Sequence, residues 1–273
     1  MNTRSTQQPA RRPDISICLA LIHNNNEIRN SIIKPNIEEL CEFLGGTCEV
    51  RSIEVSYQPE ITPLSPEFAL ERKRVAHQLT RDWAKYREQE PAAEDYPQST
   101  TDEERRRGAI EMVLTDKHIR AWTGFLESPC DFLVCFEDDA IFLHSSEPRL
   151  AEVLKQAKAC GEGANLYVDL AGGCALPGLG VGALFDRQEN DFVYFRKPVT
   201  NTACTYLLNR SMAEDFVTML IYEPTLKYTP ADWLLNRLLI AIDKLGRKTA
   251  CFHMSPPIFE HGSAKGIWSS GRG

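Results

Sequence analysis

"CDFLVCFEDDAIF", residues 130–142, decides how the chain is read. From Phe132 to Phe136 every side chain is apolar, a run too short for a buried helix and suited to a strand inside a sheet. Three carboxylates follow at once, Glu137, Asp138 and Asp139, and the chain then turns apolar again. An acidic triplet alone says little, since composition yields about one by chance in a chain this long, and a second, Asp102-Glu103-Glu104, lies in a charged segment read as loop. Position separates the two. The carboxyl end of a core strand is where open α/β sheets bind ligands. A carboxylate buried there must protonate, pair or bind a cation. No Lys or Arg lies between Cys130 and Pro148, so the neighbouring sequence offers no counter-charge. A divalent ion would supply it, and oxygen ligands suit Mg²⁺ or Mn²⁺ bridging carboxylates to substrate phosphates. A solvated loop or distant Arg partners are the alternatives.

Working outward, "ISICLALI" (15–22) reads as a strand that stops at the turn-rich "HNNNE". "IIKPNIEELCEFLGG" follows as a helix with Ile37, Leu40, Cys41 and Leu44 on its apolar face, and "TCEVRSIEV" as the next strand. Strand, helix, strand opens a parallel α/β sheet. Residues 67–107 form a charged helical insertion, read either as solvated or as a lid or acceptor-docking arm. Helical periodicity resumes at 108–128. After the acidic strand come a helix (148–161), a strand (164–170), a Gly-rich loop (171–183), two strands around a turn (192–210), two helices (211–222 and 231–246) and a closing strand from 248. Residues 14–260 are expected to form one domain, after a disordered 1–13 and before a mobile tail, 261–273.

The composition is that of a globular protein, 42% hydrophobic and 25% charged. A net charge of −7, from 31 basic against 38 acidic residues, argues against general affinity for nucleic acid. Nine cysteines with no C-x-x-C pair read as reduced core thiols. With no secretory h-region at the start and no run of about 18 apolar residues, the expectation is a cytoplasmic protein, in possible peripheral contact with the inner face of a membrane.

"FEDDA" after an apolar strand resembles the metal-binding acidic motif of nucleotide-sugar glycosyltransferases with the GT-A fold, and its surroundings resemble glycosyltransferase family 25, the lipooligosaccharide and collagen galactosyltransferases. The features are Gly108, then "DKHIRAW" with His118 and Trp122, then "TNTACTYLLNRSMAEDF" and "PADWLLN", over roughly residues 105–260. Two departures stand out: "LIHNNNEIRNS" replaces the family's Arg-rich opening, and Lys117 stands where the family has Ser. The resemblance implies a Rossmann-type mixed sheet flanked by helices, and inverting transfer of a hexose from a nucleotide diphosphate donor, UDP-linked, to a glycan or glycolipid acceptor, as in lipopolysaccharide biosynthesis. It implies a Mn²⁺ or Mg²⁺ cofactor.

On that reading Glu137 and Asp139, alternating along an extended chain, hold the ion, and Asp138 meets the ribose or sugar hydroxyls. Asp232 is either the helix N-cap or the general base on the acceptor hydroxyl. His118 is either a satisfied core histidine or a hydrogen-bond partner of the donor. Thr200, Asn201 and Thr202 line the acceptor side or make a turn. The tail "FEHGSAKGIWSSGRG" is a frayed end, or a lid bringing His261 to the ion and Lys265 to the diphosphate. Two other functions use the same carboxylates: a metal-dependent phosphoryl-transfer enzyme or nuclease, for which Asp169 and Asp232 are the spare acids, and a nucleotide-sugar-binding module without turnover.

Overall fold

In the computed structural model, which describes residues 13–91, 95–172, 180–200 and 202–268, the acidic run lies at the end of a central strand. The elements in order are β1 (Ser16–Ile22), α1 (Glu27–Gly45), β2 (Glu49–Val55), α2 (Pro66–Tyr86), α3 (Asp102–Glu127), β3 (Phe132–Glu137), β4 (Ala140–Phe142) and α4 (Ser146–Gly161). Then follow β5 (Asn165–Asp169), β6 (Phe185–Glu189), β7 (Phe192–Phe195), β8 (Thr205–Asn209), α5 (Arg210–Tyr222), α6 (Ala231–Lys244), β9 (Thr249–Met254) and β10 (Phe259–His261). Eight strands form one mixed sheet in the order β2-β1-β3-β8-β5-β9-β7-β6, flanked by helices in a single domain, while β4 and β10 pair as a separate ribbon. β1 runs parallel to β2 and β3, and β5 parallel to β9, with β8 inserted antiparallel between β3 and β5. The carboxyl ends of β1, β3, β5 and β9 therefore share one edge with the start of β8.

Period-two alternation sorts the strands onto two cores. Cys18, Ala20, Leu133, Cys135, Tyr167 and Tyr206 pack on the side covered by α3, α5 and α6. Ile17, Leu19, Phe132, Val134, Leu166 and Leu207 pack on the side covered by α1 and α4. Helix α1 carries Ile33, Ile37, Leu40 and Leu44 into the second core, as the periodicity requires, with Cys41 only half-buried. Asn26 caps it by accepting from Arg29 N–H. The cysteines among the described residues are free thiols.

Three expectations change. The triplet Asp102-Glu103-Glu104 is the first turn of α3, not a loop: Thr101 and Glu104 form a reciprocal capping box, and the acids suit the positive end of the helix. The proposed boundary at 108 falls inside that helix. A Cβ on Gly108 would stand 2.3 Å from Arg72 Nη1 and 2.9 Å from Leu64 Cδ1, so those side chains would have to shift. Helix α2 is not a solvated insertion, because Trp83 and Tyr86 join the first core. Finally, the strands at 192–210 do not pair with one another: β7 joins β9 and β6, and β8 joins β3 and β5. No helix among the described residues is long and apolar enough to cross a membrane.

Trp83 is 7% exposed, so Trp83→Ala should cost about 3–5 kcal/mol in urea unfolding, the usual range for emptying a large aromatic site. A loss under about 0.5 kcal/mol, as at exposed positions, would return α2 to the solvated reading.

Candidate functional site

Alternation at the end of β3 sends the three carboxylates to different partners. Glu137 continues the face of Leu133 and Cys135, and its Oε1 lies 3.0 Å from His118 Nε2 on α3. Asp138 turns toward α1, where Oδ1 accepts from Arg29 Nη1 at 2.8 Å and Oδ2 from the Asn24 N–H at 3.1 Å. Asp139, beyond the strand in a turn, is met from the far end of the sequence. His261 Nε2 is 3.1 Å from its Oδ2, and the Ser263 N–H donates to the same oxygen at 3.3 Å. The Cys204 thiol donates to Oδ1 at 3.6 Å.

Counter-charge thus comes from distant elements, and for Asp138 it is the distant Arg partner that the sequence left open as an alternative to an ion. Arg29 and Asp138 are 12% and 6% exposed, so both depend on the pairing. Lys117 is wholly buried; its Nζ donates to His23 O at 2.8 Å and to Asn24 Oδ1, and lies 5.5 Å over the Tyr57 ring. Burial lowers its pKa, and the charges of Asp138 and Glu137 oppose that shift.

The remaining acids have opposite fates. Glu137 is pushed up to about 8, first by burial, then by repulsion from Asp139 and Asp232. Burial also works against Asp139, but the hydrogen bond and charge of His261, aided by Ser263 and Arg29, bring it down to about 2. His261 is lifted by Asp139, Glu137 and Asp232 despite burial. Asp139 and His261 therefore each favour the other's charged form, beside a Glu137 that holds its proton more tightly than a free carboxyl.

His118 is the satisfied core histidine. Its Nδ1 lies 2.8 Å from Tyr206 Oη, which also accepts from Trp122 Nε1 at 2.8 Å, and burial drops its pKa to about 4. The indole can only donate, so a one-way chain runs from Trp122 through Tyr206 and neutral His118 to Glu137. Its role is to fix the Glu137 carboxyl.

Asp232 is not the N-cap of α6, a position held by Pro230. Two residues further in, its Oδ1 accepts from the Ala203 N–H at 2.6 Å, and its charge acts on Glu137, His261 and His118. Thr200 and Thr202 are both buried. Thr200 Oγ1 bonds Tyr167 Oη, and its N–H donates to Asn236 Oδ1 at 3.2 Å, so it braces the loop. Thr202 Oγ1 reaches His261 Nδ1 at 3.4 Å. Asn201 lies outside the described residues. Lys265 is half-exposed and pairs with Glu260 at 3.3 Å, not with the acidic cluster. The segment expected as a mobile tail runs as the end of β10 and a series of turns to Trp268, with the Gly262 N–H on Asp139 O at 3.0 Å.

Sequence reasoning missed Arg29, Asn24, Tyr206 and Cys204. Arg29 and Lys117 sit in the two places where the sequence departs from the family 25 pattern it resembles, and that coincidence was the available signal. Asp139, Cys204 and His261 offer donor atoms within 4.8 Å of one another. The Cys204 thiol, raised well above its ordinary value by burial and by Asp139, stays protonated. A bound ion would deprotonate such a thiol, so the three residues together offer a mixed oxygen, sulfur and nitrogen donor set, which does not single out one metal.

Between its ordinary value of 4.5 and about 8, Glu137 binds a proton more tightly folded than unfolded. Its buried charge consequently opposes folding more as pH rises through that window, and not at all below it. Glu137→Gln keeps an acceptor for His118 and removes the charge. Without divalent ions, its stability advantage over the native chain in urea should grow from near zero at about pH 5 to a plateau above about pH 8; a difference independent of pH would contradict the assignment.

No family model matches the chain, and no curated protein resembles it closely enough to count as a relative.

Proposed function

We propose that the chain is a metal-dependent glycosyltransferase that moves a hexose from a nucleotide diphosphate donor, UDP-linked, to a hydroxyl of a glycan or lipid-linked acceptor. The observation that carries this reading is the Asp139–His261 pair at the carboxyl edge of the sheet, surrounded by Glu137 and Asp232. The likeness of "FEDDA", "DKHIRAW" and "PADWLLN" to family 25 supports it. A glycolipid acceptor would bring the protein to the inner face of a membrane.

Asp139 and His261 would hold the ion once the imidazole gives up its proton, and Glu137 could join on giving up its own. A bound Mn²⁺ offsets the charge that develops on the departing nucleoside diphosphate. The acceptor oxygen attacks the anomeric carbon, the bond from that carbon to the diphosphate oxygen breaks, and the hydroxyl proton passes to Asp232. The Ala203 N–H fixes the Asp232 carboxylate for this. Glu137, steadied by the His118 chain, sets the electrostatic level of the site. Arg29, engaged with Asp138, shapes the loop after β1.

Incubation with a panel of nucleotide sugars and Mn²⁺, read as free nucleoside diphosphate, tests the reading. Release that depends on an added saccharide supports transfer; binding without release indicates a non-catalytic module; cleavage of phosphodiesters instead indicates the phosphoryl-transfer alternative.

Asp139→Asn still accepts from Ser263 N–H but lacks the charge, and should lower Mn²⁺-dependent release by about 10²–10³-fold. Near-normal turnover would remove Asp139 from the metal site.

Asp232→Asn still accepts from Ala203 N–H and cannot take a proton, so transfer should fall by about 10²–10⁴-fold with unchanged thermal stability. Full activity would leave Asp232 only its structural bond.

A further inference from the structure

Donor atoms of three different kinds meet where the acidic turn, the residue before β8 and the end of β10 converge. Cys204 Sγ stands 3.6 Å from Asp139 Oδ1, and His261 Nε2 stands 3.1 Å from Asp139 Oδ2. A tetrahedral ion, at about 2.3 Å from sulfur and about 2.0–2.1 Å from nitrogen and oxygen, spaces its ligands about 3.3–3.6 Å apart. Two separations are therefore already near those of a bound site. The third, within 4.8 Å, has to close by about 1 Å. Each ligand is also held from behind, as metal ligands are. Thr202 Oγ1 lies 3.4 Å from His261 Nδ1 and accepts from the Cys204 N–H at 3.1 Å, so one hydroxyl orients two of the three. The Ser263 N–H donates to Asp139 Oδ2 at 3.3 Å. The Thr205 hydroxyl donates to Cys204 Sγ at 3.8 Å, a contact that favours the thiolate. Cys204 and Asp139 are buried and His261 is partly open, which leaves an entry past the imidazole.

Sulfur narrows the class of ion. Mg²⁺ and Mn²⁺ take oxygen ligands in octahedral sets, whereas thiolate and imidazole suit later d-block ions. Donor types alone leave several of those open, but three protein ligands at tetrahedral spacing favour Zn²⁺. We propose that Asp139, Cys204 and His261 bind Zn²⁺ as a three-ligand site, with Cys204 as thiolate and the fourth position open. Binding exchanges the S–H bond for an S–Zn bond, and the thiol proton leaves to solvent together with any proton on the imidazole. The zinc site does not depend on the transferase reading. Only its consequence there, loss of Mn²⁺-dependent release when Zn²⁺ takes Asp139 and His261, rests on it.

Cobalt absorption on the full reduced chain, after chelation and dialysis, tests it, because Co²⁺ enters zinc sites and a thiolate bound to it absorbs strongly in the near ultraviolet. One equivalent of Co²⁺ should give that band, and one equivalent of Zn²⁺ should then bleach it. Mn²⁺ in about hundredfold excess should leave most of it. Cys204→Ser should lose the band, and His261→Ala, which changes the most open ligand, should weaken cobalt binding by at least about tenfold. Absence of the band, a band that survives Cys204→Ser, or displacement of Co²⁺ by an equal concentration of Mn²⁺ overturns the proposal. If Cys204→Ser does not fold, His261→Ala decides alone, and unchanged cobalt affinity in that variant overturns it. The band without turnover of any nucleotide sugar would keep the zinc site and sink the transferase. Mn²⁺-dependent release from a chain that gives no band would keep the transferase and sink the zinc site.

Discussion

Negative charge cannot accumulate at the end of a buried strand without compensation, and the architecture around β3 is a response to that constraint. One carboxylate is answered by Arg29 and the loop after β1, another by His261 at the other end of the chain, and the third by retaining its proton. Each answer recruits a different element. Helix α1 begins where it places Arg29, α3 carries the wholly buried Lys117 and His118, and β10 pairs with β4 so that His261 sits over Asp139. The response is incomplete. A proton on Glu137 is a weak substitute for a cation, so that carboxyl stays the least compensated of the three.

Local patterning carried the fold a long way. The apolar runs at 15–22 and 130–136 and the 3.6-residue spacing of Ile37, Leu40 and Leu44 were sufficient for β1, β3 and α1, because strand alternation and helix periodicity are properties of neighbouring residues. Helix α2 was misjudged for the converse reason. Its surface is dense with Lys, Arg and Glu, and apart from Ala69 only Trp83, Ala84 and Tyr86 near its end are buried, so average polarity hid the part that enters the core. Strand β6 was invisible, since all five of its residues are exposed and an edge strand of that kind has no apolar signature.

At the site, the residue types were legible and their partners were not. The triplet itself, Asp232 and His261 could be picked out by sequence. The Arg29–Asp138 bond spans 109 positions and the Asp232–Ala203 bond spans 29, and no local pattern encodes either. The two stretches that depart from the family 25 pattern that the sequence resembles were given no structural role. One of them is the buried amine that steadies the loop after β1, and the other contains the guanidinium that meets Asp138, so both mark where this chain balances its charge in its own way.

The link between Asp139 and the turn at Ser263 joins residues 124 positions apart. During synthesis the chain is threaded out from its amino end, so β1, β3 and the acidic turn exist well before the imidazole that completes them. Until residues 259–263 emerge, Asp139 has neither its ion pair nor the β10 strand that shelters it, and β4 is left with an open edge. Contacts of such separation close late and slowly. The Asp139–His261 contact therefore arrives as one of the last events of maturation, and a nascent chain at the ribosome holds the carboxylates without the imidazole that answers one of them.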